Sequence, residues 1–151
     1  MKEPRWLAEC ARNVTSQAGE DGIIEKALDV VGVRDRWCVE FGASDGRDWS
    51  NTHNLINRHG YSAVLIEADP RRVKQLKARY AGNAGVTPLR AFVGTGSQDG
   101  LDAILTPTPI PKNFDFLSVD IDGNDYHVWR AVREYRPKLV CIEFNPTIQT
   151  S

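Results

Sequence analysis

Short apolar runs recur along the chain, and each is separated from the next by a turn or by a segment with helical spacing. Five such runs are predicted strands, at residues 37–41, 62–67, 86–93, 114–119 and 139–144. Strands that are apolar almost throughout are typical of a parallel sheet covered on both faces. The pattern therefore predicts a doubly wound, mostly parallel α/β sheet with helices on both faces.

Apolar residues at helical spacing predict the helices that connect these strands. One helix ends at Gly32 and a second at Gly60, and glycine is a common stop signal. A third begins at Asp69–Pro70, a cap followed by a first-turn proline. Shorter helices are predicted within residues 4–13 and 101–105. The residues predicted to face the core from the connecting helices are Ile23, Ile24, Ala27, Leu28, Val31, Leu55, Ile56, Val73, Leu76, Tyr80, Val128, Trp129, Val132 and Tyr135.

Pro88 lies within the third predicted strand. Proline has no N–H to donate to a ladder of hydrogen bonds, so it is confined largely to edge strands. The sequence therefore predicts that the third strand lies at an edge of the sheet.

Glycines and carboxylates follow the predicted strands at the points where they end. The first strand runs into the turn E-x-G-x-x-x-G, from Glu40 to Gly46, and the second ends at Glu67 and Asp69. Acids at 120–125 follow the fourth strand, and Glu143 and Asn145 close the fifth. Right-handed crossovers bring the carboxyl ends of parallel strands to one rim, where ligands bind. A ligand site is therefore predicted at that rim.

The glycine turn also indicates which ligand is favoured. A dinucleotide fold needs a middle glycine so that a pyrophosphate can approach the helix N-terminus, and that position is occupied here by Ser44. Asp45 adds negative charge beside it, which disfavours an anion. A ligand with a cationic centre, an amino-acid portion and a ribose suits these acids better, as S-adenosylmethionine does. A purely structural turn is the alternative, and a nicotinamide-dependent oxidoreductase is a third, disfavoured possibility.

Composition and charge narrow the function classes. The chain has 151 residues, 41% hydrophobic and 26% charged, with a net charge of −1, as expected for one globular domain over 1–151. We divide it into an N-terminal helical segment, 1–35, and a core, 36–146. The absence of a dense basic run argues against nucleic-acid binding. Basic residues cluster only on a predicted solvated helix face, at Arg71, Arg72, Lys74, Lys77 and Arg79.

The chain also lacks the sequence signs of membrane insertion and of export. No apolar run approaches the roughly 18 residues of a membrane span, and residues 1–9 lack the apolar stretch of a secretory signal. Cys10, Cys38 and Cys141 show no C-x-x-C spacing, which favours free thiols in a reducing compartment. We expect a cytoplasmic protein that binds neither membrane nor nucleic acid.

Several stretches together resemble one enzyme family. Residues 39–46 look like the first motif of class I S-adenosylmethionine-dependent methyltransferases, and 65–70 resemble the second. The stretches 16–21, 114–126 and 136–146 are similar to FkbM-type methyltransferases. The resemblance runs from about residue 16 to residue 146. It implies a Rossmann-like sheet with strand order 3-2-1-4-5 and the cofactor S-adenosyl-L-methionine.

The resemblance also implies roles for the residues at the rim. The methionine part of the cofactor would contact Gly42, Ala43 and Gly46, with Glu40 and Asp45 near its amino group, and Ser44 is a further cofactor-binding candidate. Glu67 would accept hydrogen bonds from the ribose hydroxyls, which a carboxylate does well; a helix cap is its alternative role, better filled by Asp69. The adenine would be flanked by Ala68 and Asp69 and covered by Phe92 and Val93. Asp120 would lie by the methyl group.

Candidate catalytic and metal-binding residues follow the fourth strand. Asp120 and His127 are candidate catalytic groups, although a lone helix histidine is more often solvated. The oxygen-rich set that could hold Mg²⁺ is Asp120, Asp122, Glu143 and Asn145. The alternative for Asp122 and Asn124 is to cap the next helix. Trp49 follows the glycine turn and is equally consistent with a lid over the site and with ordinary packing.

Members of the family usually continue past the fifth strand with two more, whereas this chain ends soon after Asn145 and Pro146. The predicted strand order leaves residues 139–144 as an apolar edge, which is a liability unless it is paired. We therefore expect a homo-oligomer formed through this edge, or a truncated form.

The function predicted first is O-methylation of a small-molecule or sugar-like acceptor. A non-catalytic S-adenosylmethionine-binding domain, or a truncated remnant of an enzyme, is the second hypothesis.

Overall fold

The fold is a single parallel sheet flanked by helices in a computed structural model, which describes residues 6–121 and 123–143. The strands are β1 (Trp37–Phe41), β2 (Ser62–Glu67), β3 (Val86–Arg90), β4 (Phe116–Val119) and β5 (Leu139–Ile142). The helices are α1 (Glu20–Val31), α2 (His53–His59), α3 (Pro70–Arg79), α4 (Leu101–Leu105) and α5 (Asp125–Ala131). A short 3-10 helix, Ala8–Cys10, precedes them.

The strand order is β3-β2-β1-β4-β5, and every pairing among the described strands is parallel. Val39 pairs with Val64 on one side and with Leu117 on the other. The order reverses beside β1, which is the place where a doubly wound sheet opens a crevice at its carboxyl edge. The predicted Rossmann-like α/β class, the strand order and the edge position of Pro88 are confirmed.

Two apolar clusters cover the two faces of the sheet. Cys38, Ala63 and Phe116 belong to the first, with side chains from α1, α2 and α3. Val39 and Val64 belong to the second, with side chains from α4 and α5. Successive residues of a strand point to opposite faces, so a strand that is apolar throughout feeds both clusters. The continuous apolar runs in the sequence have this cause.

Several predicted boundaries were wrong at the ends of elements. β3 ends at Arg90, so Phe92 and Val93 follow the strand. β4 begins at Phe116, although Asp115 already donates its N–H to the carbonyl of Trp37 and continues the strand by one residue. Only Ala8–Cys10 is helical within the described part of the predicted segment 4–13. For the fifth strand, residue 144 lies outside the described residues.

Two residues predicted to face the core are instead exposed. Val31 is 47% exposed at the end of α1, and Trp129 is 42% exposed on α5. α5 ends at Ala131, so Val132 and Tyr135 follow the helix, but both pack with the second apolar cluster and face the core as predicted. Helical spacing indicates which residues share a face, but where that face ends depends on what it packs against.

Cys38 is fully buried, Cys10 and Cys141 are half-buried, and all three are free thiols. Among the helices that the structure describes, none is long and apolar enough to cross a membrane.

Candidate ligand-binding site at the carboxyl edge of the sheet

A cavity of about 830 Å³ opens at the carboxyl edge of the sheet, where the strand order reverses. This volume is within the range of small-molecule sites. Most of the predicted site residues meet in its wall. The described residues that line it are Gln17, Phe41, Gly42, Ala43, Ser44, Asp48, Trp49, Ser50, Ile66, Glu67, Ala68, Asp69, Arg72, Phe92, Val93, Asp120, Ile121, Gly123, Asn124 and Glu143.

Gly42 brings the backbone of the glycine turn against the end of β4. Its φ is +80°, and a Cβ at this position would lie 1.6 Å from the carbonyl oxygen of Asp120. The N–H groups of Gly42 and Ala43 both donate to the carbonyl of Ile66, at 3.1 Å. The turn is therefore held against the strands on both sides of β1. Only glycine fits at position 42, where the turn lies against the carbonyl of Asp120 at the end of β4.

Glu67 lies in the cavity wall at the end of β2 and is partly exposed. One carboxylate oxygen accepts the N–H of Ser44 at 2.7 Å, and the other accepts the N–H groups of Ala68 and Asp69 at 2.8 Å. A carboxylate has about four acceptor positions, so the three bonds fix its orientation and leave it able to accept from a ligand. Asp69 caps α3 through the N–H of Arg71 at 2.7 Å, as the sequence predicted.

Glu40 does not line this cavity and is buried, 3% exposed, in contact with the lining residue Ser50. Its carboxylate accepts hydrogen bonds from the hydroxyls of Ser50 and Thr52 and from the N–H of Asn51, each at 2.7 Å. Burial raises the pKa of Glu40 above its usual value, and these hydrogen bonds offset only part of that effect. In this arrangement Glu40 supports the segment that follows the turn rather than presenting its charge to a ligand.

Asp45 and Gly46 also belong to the turn but do not line the main cavity. Asp45 pairs with Arg79, whose Nη2 lies 2.6 Å from the carboxylate and whose Nε donates to the Asp45 carbonyl at 2.8 Å. The carbonyl of Gly46 accepts the hydroxyl of Tyr80 at 2.9 Å and lies 2.9 Å from Nδ1 of His53. The structure therefore does not bring Asp45 or Gly46 into the main cavity, and their role in binding a cofactor stays a prediction.

The charges of the cavity differ from those inferred from the sequence. The Asp45 charge is offset by Arg79, and Arg72 lines the cavity with its guanidinium donating to the hydroxyl of Ser44. Because Asp45 is paired with Arg79, its charge disfavours an anion less than the sequence alone indicated. Carboxylates still predominate over this arginine among the described lining residues, namely Asp48, Glu67, Asp69, Asp120 and Glu143.

Two of the exposed residues that line the cavity are aromatic. Phe92 is 75% exposed and Trp49 is 68% exposed, whereas Val93 is 7% exposed and packs into the core. Ordinary packing of Trp49 was one of its two predicted roles, and its exposure contradicts that role.

Gln17 also lines the cavity, a position that the predictions from sequence missed. Its loop is held by Asp21, one of whose carboxylate oxygens accepts the N–H groups of Val14, Thr15 and Ser16, each at 2.8 Å. The polar stretch 16–21 belongs to the resemblance described above, so its motif could have indicated that this loop reaches the site.

The predicted metal set is brought together only in part. Asp120 and Glu143 line the cavity, but Asp122 and Asn145 lie outside the described residues. Within residues 6–121 and 123–143, no group of three or more His, Cys, Asp or Glu side chains could hold a metal ion.

The start of α5 also differs from the prediction that Asn124 caps it, because the Asn124 side chain makes no capping hydrogen bond. Asp125 instead accepts the N–H groups of Ile121 and Gly123, at 2.8 and 2.9 Å, and orders this loop.

His127 is exposed and does not line the main cavity. It lines a neighbouring depression together with Thr95, Asn124 and Arg130. Asn124 is common to both hollows. The structure therefore places His127 near the site but not within it, and its catalytic role stays a prediction.

The fold is similar to those of several solved methyltransferases. A protein described as a candidate sarcosine dimethylglycine methyltransferase from Galdieria sulphuraria aligns over 78% of this chain and 43% of its own, with 17% identity and a TM-score of 0.51. A precorrin-6y C5,15-methyltransferase from Geobacter metallireducens GS-15 aligns over 83% and 61%, with 17% identity and a TM-score of 0.49. The glycopeptide N-methyltransferase MtfA, complexed with sinefungin, aligns over 78% and 49%, with 15% identity and a TM-score of 0.48.

The similarity to the Galdieria protein shows the fold alone, a Rossmann-like α/β sheet, because proteins that share a fold at such low identity can differ in function. The chain spans about 43% of the length of the Galdieria protein and about 61% of the Geobacter protein. No protein-family model matches the sequence. No curated protein matches it either.

Proposed function

We propose that this chain binds S-adenosyl-L-methionine and transfers its methyl group to a hydroxyl of a small-molecule or sugar-like acceptor. The observation that carries the proposal is the carboxylate of Glu67. It is fixed by three backbone N–H groups at the end of β2, in the wall of a cavity beside the switch point. An acid at that position of a doubly wound sheet is suited to the hydroxyls of a ribose.

The remaining walls support an adenosyl ligand that carries a cation. The exposed ring of Phe92 and the side chain of Val93 lie on the β3 side of Glu67, where an adenine would extend. On the β4 side, the turn at Gly42 and Ala43 and the carboxylate of Asp120 line the space for a methionine portion. The carboxylates that line the cavity outnumber its arginine, Arg72. By Coulomb's law this excess of negative charge attracts a sulfonium and repels a pyrophosphate.

We assign direct contacts with the cofactor to the predicted residues that line the cavity, which are Gly42, Ala43, Ser44, Glu67, Ala68, Asp69, Phe92, Val93 and Asp120. Glu40, Asp45 and Gly46 act through the turn, because their partners are Ser50, Thr52, Arg79 and Tyr80. Asp120 would lie beside the methyl group, where it could orient an acceptor hydroxyl by accepting its proton in a hydrogen bond.

A Mg²⁺ ion held by Asp120 and Glu143, together with Asp122 and Asn145, remains a proposal. Oxygen ligands of this type suit a hard divalent cation, which would polarise the acceptor oxygen. Calorimetric titration of the protein with MgCl₂, with and without S-adenosylmethionine, tests it. Absence of a binding heat in both titrations would rule it out.

A second candidate function is cofactor binding without turnover. It is favoured by the position of the candidate catalytic residue His127, which lines the neighbouring depression and not the main cavity. Radiolabelled methyl donor incubated with a panel of hydroxylated small molecules separates the two functions. Transfer of label supports the enzyme, whereas tight binding with no transfer to any acceptor supports the binding domain.

The cofactor assignment is tested by calorimetry with S-adenosylmethionine, S-adenosylhomocysteine and NAD⁺. We expect the first two to bind and NAD⁺ not to bind. Glu67→Gln should weaken binding of S-adenosylmethionine by about 10- to 100-fold, because hydrogen bonds to a charged acceptor contribute about 1.5–3 kcal/mol. Glu134→Gln is the matched control, since the Glu134 side chain is 60% exposed and pairs with Lys112 away from the cavity.

Thermal unfolding of both variants shows whether the fold is intact. Equal affinity of Glu67→Gln and the wild-type protein would contradict the site assignment. Binding of NAD⁺ in preference to the other two ligands would contradict the cofactor assignment.

A further inference from the structure

Trp49 has a backbone conformation that a tryptophan rarely adopts. Its φ is +63°, in the left-handed region. A bulky residue is unfavourable there because its Cβ approaches the backbone, and such a residue persists only where its surroundings force it. The structure therefore holds Trp49 in this conformation against its own preference.

Hydrogen bonds on both sides of Trp49 account for the conformation. Before it, the N–H groups of Arg47 and Asp48 donate to Asp45, each at 3.0 Å. After it, the buried carboxylate of Glu40 accepts the hydroxyl of Ser50 and the N–H of Asn51, each at 2.7 Å. The chain must pass between these two anchors, and Trp49 is the residue that takes up the sharp change of direction.

The indole buries little of its surface in this arrangement. Trp49 is 68% exposed, whereas a tryptophan packed into the core would bury a large apolar area. Backbone strain and exposed aromatic surface are both unfavourable, and neither is offset by packing. Ligand binding would offset both, because a ligand in the cavity would cover the ring.

The location of Trp49 indicates what would cover it. Trp49 lines the main cavity and also two neighbouring hollows, of about 650 and 320 Å³. The smaller hollow shares Gln17, Asp120 and Glu143 with the main cavity. The ring thus stands where these spaces meet, on the side of Gly42 and Asp120 rather than that of Phe92.

We propose that the Trp49 indole packs over the methionine portion of the bound methyl donor and is a binding residue of the site. The inference rests on the proposed function. An aromatic face also attracts a cation such as a sulfonium, more strongly when the pair is removed from water. Phe92 would cover the opposite, adenine end, so the two exposed aromatic residues would enclose the ligand from both sides.

Substitution by glycine separates a binding role from a structural role. Trp49→Gly removes the ring and is compatible with the left-handed backbone. We expect it to leave the Tm equal to or above that of the wild-type protein and to weaken binding of S-adenosylmethionine at least fivefold in calorimetry. A core tryptophan would give the opposite result for stability, with a clear fall in Tm.

Arg36→Gly is the matched control. Arg36 is also an exposed non-glycine residue with a positive φ, +57°, and it does not line the cavities described here. It should change the Tm in the same direction as Trp49→Gly without changing the affinity for S-adenosylmethionine.

Fluorescence gives an independent test of contact. S-adenosylmethionine should change the tryptophan emission of the wild-type protein and of Trp129→Phe, whose replaced indole is exposed on α5. In Trp49→Phe this change should be lost while calorimetry still detects binding.

Three outcomes would overturn the inference. They are a full fluorescence change in Trp49→Phe, binding by Trp49→Gly as tight as that of the wild-type protein, and a fall of several degrees in the Tm of Trp49→Gly. If the wild-type protein binds no S-adenosylmethionine, the proposed function fails first and this inference fails with it.

Discussion

A Cβ atom at Gly42 would lie 1.6 Å from the carbonyl oxygen of Asp120, closer than two non-bonded atoms can approach. This contact joins the turn after β1 to the end of β4, and both residues line the cavity. The glycine is required twice, by this contact and by its φ of +80°. It fixes the shape of the cavity floor as well as the path of the chain.

Gly42→Ala should therefore lower the free energy of unfolding by at least about 3 kcal/mol, from backbone strain together with steric overlap. Gly60→Ala is the matched control. Gly60 also has a positive φ, +68°, but a Cβ added there would meet no atom of the described residues within 4 Å. It should lose only about 1 kcal/mol. Urea unfolding measures both, and equal losses would show that the contact with Asp120 is relieved by a small shift.

Glu40 should make stability depend on pH. Burial raises the pKa of its carboxyl in the folded protein above the ordinary value of 4.5. The folded protein then holds the proton more tightly than the unfolded chain. The stability from this group is fully present below about pH 4.5 and is lost as the pH rises through the folded pKa.

Glu40→Gln removes this titration and keeps the size of the side chain. We expect its stability relative to the wild-type protein to improve between about pH 4.5 and 8, by about 1.4 kcal/mol for each unit by which the pKa is raised. Urea unfolding across this range measures the difference, with Glu134→Gln as the exposed control. A stability difference that is independent of pH would contradict the prediction.

Asp21 should show the opposite dependence on pH. Burial raises the pKa of its carboxyl, but the N–H groups of Ser16, Thr15 and Val14 and the hydroxyl of Ser16 outweigh burial and hold the pKa below 3.8. Its stabilising effect is present above about pH 3.8 and is lost as the pH falls through the folded pKa.

Asp21→Asn should lower the free energy of unfolding by about 1.5–3 kcal/mol at neutral pH, and the gap should close in acid. Asp29→Asn, at a side chain that is 75% exposed, is the control. Amide hydrogen exchange at residues 14–16 provides a local measurement, and unchanged protection there would show that Asp21 does not hold the loop.

The open edge of β5 predicts self-association. In the part of the chain that the structure describes, β5 pairs with β4 and has no strand on its other side. The N–H groups of Leu139 and Glu143 donate to β4, so alternation directs those of Val140 and Ile142 outward. We propose that a second copy of the chain pairs here, which light scattering would detect as a mass above 16.9 kDa that rises with concentration.

Val140→Pro should reduce this association with little effect on the β4–β5 ladder, since it removes an outward N–H. Cys141→Pro is the comparison, because it removes an N–H that points to β4 and should destabilise the protein itself. A monomeric mass for the wild-type protein at every concentration would contradict the proposal.

Local patterns were sufficient to predict much of the fold. The bounds of β1 and β2, the cap at Asp69 and the edge position of Pro88 all depend on neighbours in sequence and on rules of backbone geometry. The prediction that the acidic residues after the strands share one edge of the sheet followed from the topology, since parallel strands with helical connections end on the same side. Glu67 and Asp120 were accordingly predicted to lie where the cavity is found, and the family resemblance added Phe92.

The direction of individual side chains was decided only by the tertiary structure. Glu40 and Asp45 belong to the same turn as Gly42, yet one is bound by Ser50 and Thr52 and the other by Arg79, 34 residues away. A carboxylate binds the donors that the fold brings nearest to it, and a linear pattern does not record those distances. For the same reason Trp49, which was equally consistent with packing and with a lid, has its exposed position set by anchors on both sides of it. The sequence by itself determined the sheet and the edge at which the cavity opens, whereas the tertiary structure decided which side chains line that edge, because their partners are distant in sequence.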